Sequence, residues 1–302
     1  MTDMTTGIAR QAPDGKSWLA ARRWLTLRRA SQLGVLGIFL AGPWLGLWIV
    51  KGNLNFSLIL DTVPLGDPYV LLQSLFAGHV PESRAVAGAL IVLAFYFLVG
   101  GRAYCSWVCP VNIVTDIAAW LRDLLGIKAG AHIGRESRYW ILGMTLVLAA
   151  STGTIAWELV NPVSMLHRGV IFGMGAAWAI VASVFLFDVF VVRRGWCGHL
   201  CPAGAFYSVI GRFSPVRVIA AGRAHCNDCM DCFAVCPEPM VIKPALKGAD
   251  RGIGPVIASP NCTNCGRCID VCEKKVFSFG ARIFRRGDNT VGSSMPVEQK
   301  SF

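Results

Sequence analysis

Charge is scarce in this chain. Of 302 residues, only 16% are Asp, Glu, Lys or Arg, while 54% are hydrophobic. So little charge is hard to reconcile with an ordinary water-covered domain, and a mean hydropathy of +0.51 sets the expectation of membrane-crossing helices. Acid is scarcer than base, 18 against 29, giving a formal charge of +11. Nucleic-acid binding is the first reading of such a balance, but the basic residues gather around apolar runs, so membrane topology explains them better and no nucleic-acid partner is expected. Also missing is a short apolar stretch followed by a small-residue cleavage site, so no removable signal peptide is expected.

Cysteine is plentiful instead, with twelve residues. They do not read as a secreted disulfide scaffold, because their spacing is that of metal ligands. Cys226, Cys229, Cys232 and Cys236 read C-x2-C-x2-C-x3-C-P, and Cys262, Cys265, Cys268 and Cys272 repeat the spacing without the proline. This is the ligand run of a two-cluster bacterial ferredoxin, in which the fourth Cys of each run serves the other run's cluster. The expected sets are Cys226, Cys229, Cys232 and Cys272 for one [4Fe–4S] cluster, and Cys262, Cys265, Cys268 and Cys236 for the other. Structural zinc is the competing reading, but zinc pairs rarely come as three cysteines at two-residue steps, twice over.

The four remaining cysteines form two C-x3-C-P motifs, Cys105 with Cys109 and Cys197 with Cys201, each following an apolar run and an aromatic residue. A spacing of i,i+4 puts both thiols of a motif on one helical face, and the proline suits a break in the backbone. Three roles stay open for these four thiols: ligands of an additional metal, a dithiol/disulfide pair, or packing.

Apolar runs at 32–50, 85–104, 139–157 and 170–192 are each long enough to read as spans. Nearly all Lys and Arg fall in the N-terminal tail, the loop after the second run and the C-terminal part, and that bias places both termini and all cysteine motifs in the cytoplasm. The expected fold is therefore an α-helical membrane protein, a four-transmembrane-helix bundle of two pseudo-repeated hairpins, carrying a cytoplasmic 2[4Fe–4S] ferredoxin-like domain. The segments are a basic tail at 1–31, the bundle at 32–192, a juxtamembrane segment at 193–218, the ferredoxin-type domain at 219–282 and a flexible tail at 283–302. Membrane lipid is the expected environment, in a bacterial inner membrane.

Taken together, the paired C-x3-C-P motifs, the double cluster run, and the wording of Asp61-Thr62-Val63-Pro64-Leu65-Gly66-Asp67-Pro68 and Cys229-Met230-Asp231-Cys232-Phe233 resemble the NapH family, quinol dehydrogenase membrane subunits of periplasmic nitrate reductase systems. The resemblance implies quinol as electron donor, and delivery of electrons with a periplasmic iron–sulfur partner (NapG) toward nitrate reductase, the chain being an electron-transfer subunit and not catalytic alone. A ferredoxin-type subunit of methylamine utilisation, and a membrane metal or thiol reductase acting in the maturation of a periplasmic enzyme, are the alternatives. Quinol oxidation releases protons, so acceptors are needed near the ring hydroxyls. Asp61, His79, Glu158 and His167 are the candidates in the loops, and Asp188 is the one acid inside an apolar run.

Overall fold

A computed structural model describes residues 20–127, 130–131, 133–173 and 175–282 of the chain. The tail expected to be flexible at 283–302, and most of the basic tail at 1–31, lie outside them.

The chain opens on α1 (Arg23–Leu45), whose first turn has no side-chain cap of its own. The carboxylate of Asp270, far along the chain, accepts from the Trp24 and Leu25 amides at 3.0 and 3.1 Å, satisfying donors that a helix start leaves open. A meander of β1 (Val50–Gly52), β2 (Phe56–Ile59) and β3 (Val63–Gly66) follows, antiparallel throughout. Asp67 then caps α2 (Pro68–Phe76) by accepting the Tyr69 amide at 3.0 Å. Next come α3 (Ser83–Val99), the short α4 (Ala103–Trp107) and the amphipathic α5 (Val111–Leu124). The second half repeats this plan with α6 (Ser137–Thr152), α7 (Pro162–Phe172), α8 (Gly175–Phe190), a π turn at Trp196–Leu200 and α9 (Pro202–Gly211). The cysteine-rich quarter is built from β4 (Val216–Ile219), α10 (Asp231–Val235), α11 (Ile242–Lys247), α12 (Arg267–Val271) and β5 (Ser278–Ala281), with β4 and β5 paired antiparallel.

The expected four-transmembrane-helix bundle is overturned. Among the described residues no helix is long and apolar enough to cross a membrane. The runs do become helices, but α3, α6 and α8 hold 17, 16 and 16 residues, about 25 Å of helix where a hydrocarbon core needs about 30 Å. α1 is longer, at 23 residues, yet Arg23, Arg28 and Arg29 occupy its first two turns and Pro43 its end. The second apolar run stops short because its last residues are spent on the turn that carries the first C-x3-C-P motif: Gly100 ends α3 and Gly101 and Arg102 lead into α4.

The basic bias that suggested sidedness has a structural origin of its own. Arg28, Arg102, Arg122, Arg138 and Arg217 are all buried. Arg28 donates to the Ser106 carbonyl, Arg122 to that of Val189 and Arg217 to that of Ser259, at 2.7–3.1 Å. These guanidiniums brace helix ends and loops from inside, a use that Arg serves through its fixed fork of donors.

Gly101 marks the closest approach between the two halves. A Cβ there would overlap the Tyr207 carbonyl and the Gly211 amide. Gly101→Ala is expected to push α9 off the α3–α4 corner and to cost about 1–3 kcal/mol, the range for overpacking; urea unfolding of the purified chain reads it out.

Candidate functional site

The two cysteine runs fold alike, residue for residue. In each, the second and fourth residues after the first Cys are left-handed: Asp228 and Met230 (φ 58° and 63°), then Asn264 and Gly266 (φ 47° and 71°). These turns curl three cysteines around one point and lead into α10 and α12. The equivalent side chains also repeat, Asp228 lying 3.3 Å from the Cys226 sulfur and Asn264 3.5 Å from that of Cys262. At the last turn position Gly266 is required in a way Met230 is not, since the Trp24 ring presses on the space its Cβ would fill.

The fourth cysteines cross over. One pocket is lined by Cys226, Cys229, Cys232 and Cys272, and a second by Cys236, Cys262, Cys265 and Cys268. Burial and neighbouring thiolates push Cys232 and Cys262 up to about 11, and Cys236 and Cys268 higher still. Thiols so placed ionise only against a cationic centre. Four sulfurs per cavity suit an iron–sulfur cluster. A single zinc ion suits them less well, since zinc pairs rarely come as three cysteines at two-residue steps, twice over.

The C-x3-C-P motifs do not form one continuous helical face as the spacing suggests. Cys105 sits on α4 and Cys197 on the π turn, whereas Cys109 and Cys201 stand in the break before the next helix, each ahead of the proline at the start of that helix. The Gly204 amide donates to the Cys201 sulfur at 3.4 Å, whereas in the first motif the Asn112 amide donates to the Cys109 carbonyl at 3.3 Å. All four thiols are free.

Arg102 joins this region to the second cavity. Its guanidinium donates to the Cys197 carbonyl at 3.0 Å and to the Asn261 carbonyl at 2.9 Å, and it pairs with Glu238 at 3.2 Å. Asn261 precedes ligand candidate Cys262, and Glu238 follows Cys236 by two residues. Ser106 and Trp107 of α4 donate to the carbonyls of Thr263 and Asn264, so the first C-x3-C-P motif is fastened directly to the second cysteine run.

The acids and histidines named as proton acceptors scatter. Asp61 is exposed and paired with Lys51 at 2.7 Å. His79 is exposed, bonded to the Gly153 carbonyl at 3.0 Å. His167 is buried edge-on against Phe39, and burial lowers its affinity for a proton. Asp188 does not pair with Arg193, which holds Asp123 instead; it accepts the Trp196 amide at 2.9 Å and so anchors the second motif to α8. Glu158 accepts from Asn161 at 3.1 Å and its Oε1 is ion-paired with Arg168 at 3.8 Å, while the neighbouring Trp157 Nε1 is buried without a hydrogen-bond partner. The residue that sequence reasoning passed over is Asp67. It accepts from Tyr207 at 3.2 Å as well as from the Tyr69 amide, and burial, with some help from the charge on Glu158, pushes it up to about 6. An Asp before Pro reads as a plain helix cap, and nothing local to it announces that Tyr207 closes over it.

The 4Fe-4S binding domain family (Fer4_5) matches residues 84–128 and 174–219, and the 4Fe-4S dicluster domain family (Fer4_10) matches residues 218–273. Among known proteins, the methylamine utilization ferredoxin-type protein MauN of Methylorubrum extorquens is 52% identical over 88% of this chain and 92% of its own length. The ferredoxin-type protein NapH of Escherichia coli is 47% identical over 93% of this chain and 98% of its own. The putative electron transport protein YccM of Escherichia coli is 25% identical over 84% of the chain and 75% of its own. No solved structure matches the chain. With iron–sulfur domains along its length and near-complete coverage by these relatives, the chain belongs to the NapH and MauN family of ferredoxin-type electron-transfer proteins.

Proposed function

We propose that this ferredoxin-type protein takes electrons from a quinol and passes them to a periplasmic redox partner, an iron–sulfur protein of the NapG kind leading toward nitrate reductase. Two [4Fe–4S] clusters, one held by Cys226, Cys229, Cys232 and Cys272 and one by Cys262, Cys265, Cys268 and Cys236, supply one-electron steps when bound. The observation that carries the quinol reading is Asp67, covered by Tyr207 and pushed up to about 6, with the charge of Glu158 near it, on the same molecule as those cysteines. Oxidation of a quinol to a quinone releases two electrons and two protons, and the protons need acceptors that are not already solvated. Asp67 offers a carboxylate poised near neutral pH, Glu158 offers a second acid, ion-paired with Arg168 at 3.8 Å, and Trp157 Nε1 offers a buried donor with no hydrogen-bond partner. The exposed large side chains of α1, α3 and α6, among them Leu33, Leu90, Phe95, Trp140 and Met144, suit a lipid-soluble reductant.

The test separates proton from electron handling. Asp67→Asn with Glu158→Gln is expected to slow quinol-driven reduction of the chain by about 10²-fold, the usual contribution of a positioned base, while reduction by dithionite stays unchanged. Equal loss with both reductants sinks the assignment. A pH profile adds a sign. The folded chain holds the Asp67 proton more tightly than the unfolded one, whose carboxyl keeps its value of 3.8. Stability contributed by this group is therefore full below that value and falls as pH rises to about 6. Asp67→Asn removes that slope, while the wild-type quinol rate climbs through the same window as the acceptor ionises.

The likeness to MauN, at 52% identity, favours a second destination for the electrons, the methylamine utilisation chain. Pull-down of the wild-type protein with each candidate periplasmic partner distinguishes the two.

A further inference from the structure

The two cysteine runs share one loop but not one environment. Their left-handed residues fall at the same places, so equivalent positions compare directly. Among the described residues, Asn227, Asp228, Cys229 and Met230 are all exposed, whereas Thr263, Asn264, Cys265 and Gly266 are all buried. Met230 is 54% exposed, while its counterpart Gly266 lies under a tryptophan ring. We propose that the Cys226, Cys229, Cys232 and Cys272 site is the port where this protein exchanges electrons with a separate redox protein docking over residues 227–230. The Cys236, Cys262, Cys265 and Cys268 site is the sealed one, reached only from within the chain. This rests on the iron–sulfur reading and deepens it by naming which of the two sites meets the partner.

Several elements build the seal. Asn264 turns its amide inward and donates to the Val99 and Val216 carbonyls at 2.9 and 3.0 Å. Ser106 and Trp107 of α4 donate to the Thr263 and Asn264 carbonyls at 2.7 and 3.1 Å. From α1, the Trp24 ring covers Gly266, with Trp107 and Phe279 edge-on to it at centroid distances of 6.1 and 4.8 Å. The Asp270 carboxylate fixes the same turn of α1 through the Trp24 and Leu25 amides. With its backbone acceptors taken up inside the protein and an aromatic lid over its last turn, this loop offers no surface to a second protein.

At the equivalent places the first run faces outward. Where Asn264 reaches into the body, Asp228 pairs with exposed Lys247. Where the second run has its lidded glycine, Met230 presents a flexible, polarisable side chain of the kind used at adaptable binding surfaces. Cys272 and Val276 line the same pocket and flank residues 273–275. Exposed Lys247, Lys274 and Lys275 outnumber the exposed acids beside them, Asp228 and Glu273, so the rim suits a partner that presents carboxylates. A patch this short suits the small, transient contacts of redox encounters. In the direction proposed above, one electron leaves per encounter, the chain being oxidised and the partner reduced by one. No bond or proton changes place in that step.

The experiment uses the full chain with its clusters, purified without oxygen. Partial iron removal by a ferrous chelator, followed by iodoacetamide and peptide mapping, is expected to label Cys226, Cys229, Cys232 and Cys272 well before Cys236, Cys262, Cys265 and Cys268. A soluble dysprosium–EDTA complex is expected to raise the microwave power that saturates the paramagnetic signal several-fold in Cys236→Ser, which keeps the first site. It is expected to change nothing in Cys272→Ser, which keeps the second, until Trp24→Ala is added and lifts the lid. Met230→Glu is expected to slow electron transfer from the reduced chain to flavodoxin, an acidic one-electron probe, several-fold; equal rates overturn the docking patch. Labelling of both sets together, or of the second set first, overturns the proposal on the wild-type chain alone, whether or not any variant folds. A chain that binds no iron overturns the iron–sulfur reading instead, so the two failures are told apart.

Discussion

Cys236→Ser is expected to empty the cluster site of the other run and leave its own run loaded. Cys236 is adjacent in sequence to Cys226, Cys229 and Cys232, but it lines the cavity of Cys262, Cys265 and Cys268. Cys272→Ser is expected to do the reverse, disturbing the Cys226, Cys229 and Cys232 site. Each variant loses about four irons per chain, because a cube lacking one of four thiolates is labile. Electron transfer to the partner stops, since a missing cluster cannot be bypassed by the surrounding protein. The readout is redox titration with paramagnetic resonance, in which each variant keeps one uncoupled signal. The assignment fails if Cys236→Ser abolishes the signal of its own run and spares the other. The crossover also ties α10 to α12 through the two fourth ligands, so both variants are expected to unfold earlier in urea than the wild type.

Arg102→Met is expected to be the most destabilising single change away from the cysteines. Arg102 and Glu238 are 2% and 4% exposed and 3.2 Å apart. Breaking a buried pair leaves a desolvated charge behind and costs about 3–5 kcal/mol. Here Glu238 keeps Arg135 as a partner, which places the cost toward the lower end of that range. The Cys197 and Asn261 carbonyls lose their donor at the same time, and that loss falls on the seam between the C-x3-C-P motifs and the cysteine run. Arg102→Lys restores the charge but not the fork that reaches Glu238 and the Cys197 and Asn261 carbonyls together, so it is expected to recover only part of the stability. Denaturant unfolding of the three proteins gives the ranking; equal stability of Arg102→Met and wild type would show that the seam is held elsewhere.

The cysteine runs were legible because cluster chemistry leaves a local mark. Two-residue steps are what a tight loop needs to point three sulfurs inward, and the left-handed residues Asp228, Met230, Asn264 and Gly266 supply that loop. The apolar runs were legible as helices and misleading as spans. Hydropathy reports how greasy a stretch is; where the helix ends is decided by turn residues such as Gly100 and Gly153, which close α3 and α6 at 17 and 16 residues. The arginine bias carries a second meaning that segment counts do not show. Counting Lys and Arg by segment takes every one as a solvated charge, whereas Arg28, Arg138 and Arg217 are at most 2% exposed and serve as internal donors. Asp67 was hidden because both of its reasons to matter, burial and Tyr207, come from a residue 140 positions away.

By itself the sequence determined the chemistry: twelve cysteines in four short motifs, with iron–sulfur as the cofactor class that such spacing serves and a repeat linking the two halves. Ligand spacing is a property of a few consecutive residues, and so it survives in one dimension. Only the tertiary structure decided how far the apolar helices run, that Trp24 and Asp270 lock the first helix onto the last cysteine run, and that Arg102 joins the Cys197 carbonyl of the second C-x3-C-P motif to the Asn261 carbonyl beside the second cysteine run. Those relations join residues as much as 246 positions apart. They depend on close packing of whole elements and on charges finding partners away from water, which no local pattern records.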